Sequence, residues 1–282
     1  MTGAASRRKR QDRAAGGLFL TGIRRRAPAV QPPGFPWSLP LFRDLAALDF
    51  SAAVTLLVGE NGSGKSTLLE ALAVGMDAVA VGRADLARDE TLAGARELAG
   101  AFRFRRRRHP PVRLFFRAED VFGFTRRVAG DMQALHAMED ELRQRLPDGS
   151  AAQRRAVGVI AGERHAYERR YGADPDARSH GETFLALLET RLAREGLYFL
   201  DEPETPLSPI RVLALIALLK DRVDGGSQFV IATHSPMLMA FPGAEIKLMN
   251  NATIRSVPYD EVEHVRLTRE FLNDPAAFLR RL

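Results

Sequence analysis

The chain contains 282 residues, of which 45% are hydrophobic and 27% are charged, and its formal net charge is +6. This composition is typical of a globular protein with one large domain or two lobes, and no apolar run approaches the roughly 20 residues that a membrane-spanning helix needs. The sequence has no cysteine, which excludes disulfides, thiolate metal sites and thiol catalysis and suits a cytoplasmic protein.

The positive charge is concentrated near the N-terminus. The first 26 residues hold eight of the 41 basic and one of the 35 acidic residues, which leaves the rest of the chain with a net charge of −1. Residues 1–17 are basic and rich in small side chains, a pattern that predicts a disordered arm or, alternatively, a tether to nucleic acid or an anionic surface. A DNA-binding domain is expected to be basic beyond its tail, so the near-neutral body does not indicate nucleic-acid binding.

A strand and an irregular connection are predicted after this arm. Leu18–Arg26 has the pattern of a strand, and five prolines follow between positions 28 and 40. Phe35 and Trp37 lie within this connection. One of these aromatic rings, or a side chain of Arg24–Arg26, could stack on a purine base. In the alternative interpretation, both aromatic residues are anchors of the hydrophobic core.

The most informative stretch is a strand, a glycine-rich loop and a helix in succession. Val54–Val58 is apolar and β-branched, which predicts a buried strand, and the leucines that follow Thr67 have helical spacing. The loop between them fits G-x-x-x-x-G-K-[ST], the pattern of a phosphate-binding loop in the expected strand–loop–helix context. The predicted nucleotide-binding residues are Gly59, Glu60, Asn61, Gly62, Ser63, Gly64, Lys65, Ser66 and Thr67.

The residue types of this loop indicate how it would hold a nucleotide. Glycines allow backbone angles and close approaches that side chains would block, so that N–H groups can surround phosphate oxygens at the positive end of the following helix. Lys65 supplies a positive charge for the β- and γ-phosphates, and the hydroxyl of Ser66 is a ligand for Mg²⁺.

Strands and helices are also predicted for the middle of the chain. Asp77–Gly100 shows little periodicity, whereas Phe102–Arg108 interleaves aromatic and basic residues, which fits either a phosphate-backbone contact or a solvated edge strand. Val112–Arg117 predicts another strand. An apolar stripe predicts a helix over Thr125–Leu146, and a second helical stretch is expected over Ala151–Tyr171.

A helix start is predicted at Ser179. Ser179 and Glu182 match the S-x-x-E capping box, and the helix is expected to continue through Thr183–Arg194. This structural role is sufficient by itself to explain both residues. A second role for the same segment is suggested only by the resemblance described below.

Two further strands are predicted to end in polar residues that could act on a phosphate. Leu197–Leu200 is fully apolar and is followed by Asp201, which can hold Mg²⁺, and Glu202, which can orient and deprotonate an attacking water. His234 follows a second buried strand and could contact a γ-phosphate or the catalytic water. For each of these residues the alternative is an ordinary polar loop after a core strand.

Taken in order, the motifs resemble the nucleotide-binding domain of ABC-type ATPases, in particular the compact AAA/SMC-like branch of predicted ATPases related to chromosome-maintenance and break-repair ATPases. The glycine-rich loop resembles Walker A, Asp201 and Glu202 resemble the end of Walker B, and His234 matches the switch histidine. A variant of the signature motif is found at Ser179, His180, Gly181 and Glu182. The resemblance extends from Leu18 to the C-terminus.

The resemblance implies an α/β P-loop NTPase fold for residues 18–282. This fold has a mostly parallel central sheet with flanking helices, an N-terminal antiparallel β portion and a small helical lobe, inserted over roughly residues 125–182. It also implies ATP and Mg²⁺ as ligands, with Ser66, Asp201 and the Q-loop position, Glu119, near the metal. Two copies of the chain would face head to tail, each closing the other's ATP site with its signature segment.

One departure from the family pattern bears on the biological role. At the end of Walker B, transporter subunits typically have a sequence similar to Asp-Glu-Pro-Thr-Ser-Ala-Leu-Asp. This chain has Asp-Glu-Pro-Glu-Thr-Pro-Leu-Ser from Asp201 to Ser208. This difference favours an ATPase of the repair type over a transporter subunit. A DNA repair, recombination or phage-defence ATPase, a transporter subunit and a non-hydrolysing nucleotide-binding regulator remain as alternatives to an ATPase of unassigned process.

Overall fold

The computed structural model describes residues 17–26, 33–81, 90–171, 180–250 and 252–280. The chain divides into two compact units, one formed by Met1–Ala118 with Leu192–Leu282 and the other by Glu119–Arg191. The predicted disordered arm, apart from Gly17, lies outside the described residues, as does Ser179.

The first unit contains two β-sheets. Ten strands are described: β1 Leu20–Arg25, β2 Ala47–Asp49, β3 Val54–Val58, β4 Val79–Ala80, β5 Phe102–Arg106, β6 Val112–Arg117, β7 Gly196–Asp201, β8 Gln228–Ala232, β9 Glu245–Met249 and β10 Ile254–Val257. Seven of them form one sheet in the order β10-β9-β3-β8-β7-β6-β4, in which only the β10–β9 pair is antiparallel. The other three form an antiparallel sheet in the order β2-β1-β5.

The central strands of the seven-stranded sheet are buried along their whole length. Every residue of β3, β7 and β8 is buried, which explains why these segments are nearly continuous apolar runs rather than alternating patterns. The predicted fold class, an α/β P-loop architecture with a mostly parallel sheet and an N-terminal antiparallel portion, is confirmed by this arrangement.

The antiparallel sheet uses aromatic residues as core anchors. Trp37 is only 5% exposed, and its indole Nε1 donates to Glu97 Oε1 at 2.5 Å. The guanidinium of Arg25 lies 5.5 Å from the Trp37 ring centre and 5.1 Å from that of Phe102. Trp37 and Arg25 are therefore engaged within the fold, whereas Phe35 is 57% exposed.

A buried glutamine connects the two sheets. The side-chain oxygen of Gln228, the first residue of β8, accepts from the backbone nitrogens of Phe19 and Leu20 at 2.9 and 3.0 Å. Its amide nitrogen donates to the carbonyl oxygen of Leu20 at 2.8 Å. Because the glutamine is fully buried, these bonds satisfy backbone groups that water cannot reach.

Ten α-helices accompany the sheets within the described residues. They are α1 Pro40–Asp44, α2 Lys65–Gly75, α3 Ala93–Gly100, α4 Ala118–Arg145, α5 Ala151–Tyr171, α6 His180–Arg191, α7 Pro209–Asp224, α8 Pro236–Met239, α9 Glu263–Asn273 and α10 Pro275–Leu279. Short 3₁₀ turns lie at Glu90–Leu92 and Tyr259–Glu261. Each helix in these ranges is too short or too polar to cross a bilayer.

Three helices differ from the sequence expectation. Helix α4 begins at Ala118, seven residues before the predicted start, and carries Glu119 and Asp120 in its first turn, where acidic groups complement the helix dipole. Helix α6 begins at His180 and ends at Arg191, three residues earlier than expected. Helix α3 forms in a stretch without clear periodicity because Ala95 and Leu98 are buried on one side.

The second unit contains α4, α5 and α6. Glu139 of α4 and Arg164 of α5 form an ion pair with an Nε–Oε2 distance of 3.0 Å, and the Glu139 side chain is only 4% exposed. The hydrogen bond from Arg164 lowers the pKa of the Glu139 carboxyl, and the burial of that carboxyl opposes this effect. The two long helices are therefore joined by a buried charge pair.

Replacement of Gln228 tests its role between the sheets. Gln228→Ala leaves the backbone nitrogens of Phe19 and Leu20 without their acceptor, so we expect a loss of about 1–3 kcal/mol in the free energy of unfolding, measured by urea denaturation. Gln144→Ala on the exposed side of α4 is the control and is expected to change this free energy by less than about 0.5 kcal/mol. Equal effects of the two substitutions would contradict the assignment.

Candidate nucleotide-binding site

The predicted site residues of the first unit meet at one edge of the parallel sheet. Strands β3, β8, β7 and β6 are neighbours and run parallel, so their carboxyl ends lie at the same edge, where open α/β sheets bind ligands. The register pairs Leu57 with Ala232, Asp201 with Ala232, and Arg117 with Asp201. The segments that follow these strands carry the predicted phosphate-binding loop, Glu202 and His234.

The glycine-rich loop needs glycine at two positions for steric reasons. Gly64 has φ = 90°, in the left-handed region, and a Cβ on it would come within 2.9 Å of the Phe42 ring. A Cβ on Gly59 would lie 2.2 Å from the carbonyl oxygen of Met249. The loop therefore lies directly against the core, and helix α2 begins immediately after it with its free N–H groups at the loop.

Lys65 lies folded over its own loop. Its Nζ donates to the carbonyl oxygens of Gly59 and Glu60 at 2.9 and 2.8 Å, and the residue is 5% exposed. Burial lowers the pKa of the Lys65 ammonium, while the nearby charges of Glu202 and Asp201 raise it. A phosphate oxygen would replace these carbonyl contacts of the buried ammonium or add to them.

The loop also contains a buried polar atom that lacks a partner. Ser63 Oγ is buried and makes no hydrogen bond with any described residue. Buried hydroxyls are normally hydrogen-bonded. A hydroxyl without a hydrogen bond in the glycine-rich loop is therefore available to bind a ligand oxygen or a water molecule. The residues present in the loop therefore fit a nucleotide phosphate.

Ser66 and Asp201 form a pair that fits Mg²⁺. Ser66 Oγ donates to Asp201 Oδ1 at 3.1 Å, which places one hydroxyl and one carboxylate oxygen side by side. The described residues include no group of three or more His, Asp or Glu side chains that could hold a metal ion by themselves. Mg²⁺ in nucleotide sites typically takes one or two protein oxygens and completes its shell with phosphates and water, so this pair is sufficient.

Arg117 is a charged neighbour of this pair that the sequence analysis did not identify. It is the last residue of β6, pairs with Glu70 of α2, and places its Nε 3.6 Å from Asp201 Oδ2. The exposed fractions of the Arg117, Glu70 and Asp201 side chains are 16%, 12% and 6%. A cation therefore lies next to the predicted metal ligand. In the sequence, this neighbour is indicated by an arginine at the C-terminal end of the predicted strand Val112–Arg117.

Glu202 has an unusual backbone conformation. Its φ is 46°, in the left-handed region that a residue with a Cβ rarely adopts, and its nitrogen donates to the carbonyl oxygen of Ala232 at 2.9 Å. Such strain costs on the order of 1 kcal/mol and is concentrated at functional sites. The side chain is 44% exposed, and its Oε1 lies 3.7 Å from His234 Nε2.

The Nε2 atom of His234 is buried and makes no hydrogen bond within the described ranges. Burial lowers the pKa of the His234 imidazole, and the positive charge of Lys65 lowers it further, while Glu202 opposes both effects. The lowered pKa favours the neutral imidazole, which can present an N–H to a phosphate oxygen or to water.

Glu204 fixes the segment that contains His234. One carboxylate oxygen, Oε1, accepts from Thr233 Oγ1 at 2.6 Å and from the backbone nitrogens of His234 and Ser235 at 2.8 and 3.0 Å. Burial raises the pKa of the Glu204 carboxyl, and these hydrogen bonds oppose the increase. In the sequence, Glu204 stands out only as part of the departure from the transporter pattern after Walker B, and this connection is not visible there because its partners lie some 30 residues away.

The remaining predicted residues lie in the second unit. Glu119 is exposed in the first turn of α4, His180 is the first residue of α6, Gly181 is buried, and Glu182 is exposed in the first turn of α6. Ser179, the predicted cap, is outside the described residues. The roles predicted for Glu119 as a metal ligand and for the signature segment remain predictions.

Comparison with known proteins gives one family match. The model of the AAA domain family matches residues 40–121, a range that includes the glycine-rich loop, β6 and the start of α4. This match bears out the predicted resemblance to P-loop ATPases. A search of curated proteins found no match.

Several solved structures are similar to the chain at low identity. One is described as a metal-chelate type ABC transporter in an inward-facing conformation, with 17% identity, coverage of 90% of this chain and 89% of that chain, and a TM-score of 0.45. CbiO1 from Clostridium perfringens, part of an ABC transporter complex, has 14% identity, 94% and 100% coverage, and a TM-score of 0.43. The SMC head domain from Thermotoga maritima has 19% identity, 86% and 99% coverage, and a TM-score of 0.36.

Two substitutions of Glu204 separate its hydrogen bonds from its charge. Glu204→Ala removes the shared acceptor and is expected to lower the free energy of unfolding by about 1–3 kcal/mol, measured by urea denaturation. Glu204→Gln keeps an acceptor oxygen and should be close to wild type.

The pH dependence of the Gln variant provides a second check. The raised pKa of Glu204 means that the folded state binds this proton more tightly than the unfolded state, so the stabilisation from this group is present at low pH and declines as pH rises. The stability of wild type relative to Glu204→Gln should therefore fall as the pH increases above about 4, the ordinary range of a Glu carboxyl. A difference that rises with pH would contradict the assignment.

Proposed function

We propose that this chain binds ATP together with Mg²⁺ and hydrolyses the terminal phosphoanhydride bond. The observation that carries the proposal is the arrangement at the carboxyl edge of the sheet. Four features lie on adjacent segments there: a buried lysine on a glycine-rich loop, the Ser66–Asp201 pair, a strained glutamate, and a histidine whose Nε2 makes no hydrogen bond within the described residues. This combination of donors, metal ligands and a base suits phosphoryl transfer to water.

Each group has a role that follows from its chemistry. The loop nitrogens and Lys65 bind the β- and γ-phosphate oxygens, and Ser66 and Asp201 would hold Mg²⁺, which offsets phosphate charge when it is bound. Glu202 orients the attacking water and accepts its proton, because its carboxylate is partly exposed beside the site. His234 donates from Nε2 to the terminal phosphate or the water.

We further propose that two copies of the chain bind ATP head to tail. In the ABC-type ATPases that the motifs resemble, the signature segment of a partner copy completes the ATP site, and the start of α6 has the chemistry of such an anion-binding group. A helix of 12 residues presents unpaired N–H groups and a positive dipole at its first turn. In the dimer, the segment from Ser179 to Glu182 of one copy would close the site of the other.

The cellular process served by this ATPase is a separate question. The sequence after Walker B favours a repair-type ATPase over a transporter subunit, and the near-neutral body does not favour DNA as a direct ligand. Steady-state Mg-ATPase activity measured with and without double-stranded DNA tests the proposal and this alternative together. Hydrolysis without stimulation supports an ATPase that acts on another partner, and salt-sensitive stimulation supports one that acts on DNA.

Glu202→Gln tests the proposed base and the dimer. The substitution keeps the size of the side chain but removes the proton acceptor, so we expect kcat to fall by roughly 10²–10⁴-fold while ATP still binds. Because hydrolysis no longer opens the dimer, the variant should elute as a dimer with MgATP in size-exclusion chromatography. Glu195→Gln, just before the opposite end of β7, is the control with unchanged turnover. A monomeric Glu202→Gln variant with full activity would falsify both parts.

Lys65→Ala tests the nucleotide site itself. Loss of a charged donor to phosphate is expected to weaken ATP binding by roughly 10- to 100-fold, measured by isothermal titration calorimetry. Lys220→Ala is the matched control, because Lys220 is an exposed lysine on α7 that pairs only with Asp224 among the described residues. Unchanged affinity in Lys65→Ala would exclude the loop as the phosphate-binding element.

A further inference from the structure

A second histidine lies against His234. His264 belongs to α9, near the C-terminus, and its ring centre is 5.6 Å from that of His234. The two ring planes meet at 79°, so the edge of one ring faces the other. This is a favourable geometry for two aromatic rings, and it restricts the rotation of both.

The segment that carries His264 is firmly held to the chain immediately after His234. Val262 is fully buried and Val265 is 2% exposed, which anchors the start of α9 on both sides of His264. The hydroxyl of Tyr259 donates to the carbonyl oxygen of Pro236, the first residue of α8, at 3.3 Å. The position of His264 relative to His234 is therefore set by core packing and not by a mobile surface side chain.

Both histidines have a buried nitrogen that no described residue satisfies. These atoms are His234 Nε2 and His264 Nδ1. Two buried nitrogens without hydrogen bonds, on adjacent half-buried rings, are unfavourable for stability alone, since a pair of apolar rings would pack there without this cost. The arrangement is explained if the rings serve a polar task beside Glu202, whose Oε1 is 3.7 Å from His234 Nε2.

We propose that His264 is a positioning residue that holds the His234 ring edge-on, with Nε2 directed to the space beside Glu202. This inference rests on the proposed ATP hydrolysis and adds to it a residue from the C-terminal helix. His264 acts through His234 and makes no contact with the nucleotide. Removal of His264 frees the His234 ring to rotate about its broad χ2 torsion, and Nε2 then spends less time in the productive orientation.

Kinetics of single and double variants test this role. In His264→Ala, kcat for MgATP is expected to fall about tenfold while KM stays within about twofold, because orientation for the reaction is lost and binding through the loop is kept. In a His234→Ala background the same substitution should change kcat by less than about twofold, since the ring that it positions is already absent.

Two further variants keep the test decisive. His264→Gln retains a polar side chain without a ring and is expected to lower kcat as His264→Ala does, which covers the case in which the alanine variant does not fold. Thr268→Ala, exposed on the same helix, should have wild-type kcat and KM. Melting temperatures of all variants report on their folding.

The outcomes distinguish this inference from the proposed function. Wild-type protein without Mg-ATPase activity would overturn both the proposed ATP hydrolysis and the positioning role of His264. An active wild type whose kcat is unchanged in His264→Ala, or falls equally in the presence and absence of His234, would overturn the positioning role and leave the ATPase proposal intact. A tenfold loss that depends on His234 supports the role.

Discussion

The hydrogen bonds of one carboxylate oxygen organise the edge of the sheet that carries the candidate site. Glu204 Oε1 accepts from Thr233 Oγ1 and from the nitrogens of His234 and Ser235, and so joins the segment after β7 to the segment after β8. The first segment carries Glu202 and the second carries His234. Parallel strands alone bring these segments to the same edge, but strand pairing ends at Ala232. Beyond the strands, the relative position of the polar residues is set by these hydrogen bonds of Glu204 together with the bond from the Glu202 nitrogen to Ala232.

Charge compensation is the second constraint on this edge. Lys65 and Arg117 are cations of low exposure, and they lie near the carboxylates of Glu70, Asp201 and Glu202. Buried charges are tolerated when they are paired, and the two cations offset the mutual repulsion of these carboxylates. In the proposed complex, Mg²⁺ would offset part of the negative charge that the nucleotide phosphates bring to this edge, and Lys65 would offset a further part.

The sequence predicted the structure correctly where a local residue pattern follows directly from the local structure. Val54–Val58 is an apolar run because β3 is buried on both faces, and the glycine-rich loop has a strict pattern because a Cβ on Gly59 would meet a backbone carbonyl. Other features depend on tertiary contacts that no local pattern encodes. Arg117 meets Asp201 across 84 positions of sequence. Helix α3 was missed because it has only eight residues, Ala93–Gly100, and its buried side consists of Ala95, Leu98 and Ala99, which is too short a pattern to establish a period.

The strained backbone of Glu202 is held in place by hydrogen bonds of the surrounding fold. A glycine would adopt φ = 46° without strain, yet the position carries a glutamate, followed by Pro203, whose own φ is fixed by its ring. The strained conformation is maintained from both sides, by the bond from the Glu202 nitrogen to Ala232 and by the hydrogen bonds of Glu204 two residues later. The surrounding bonds thus offset a local cost, and the result is a carboxylate that turns out of the sheet edge toward His234.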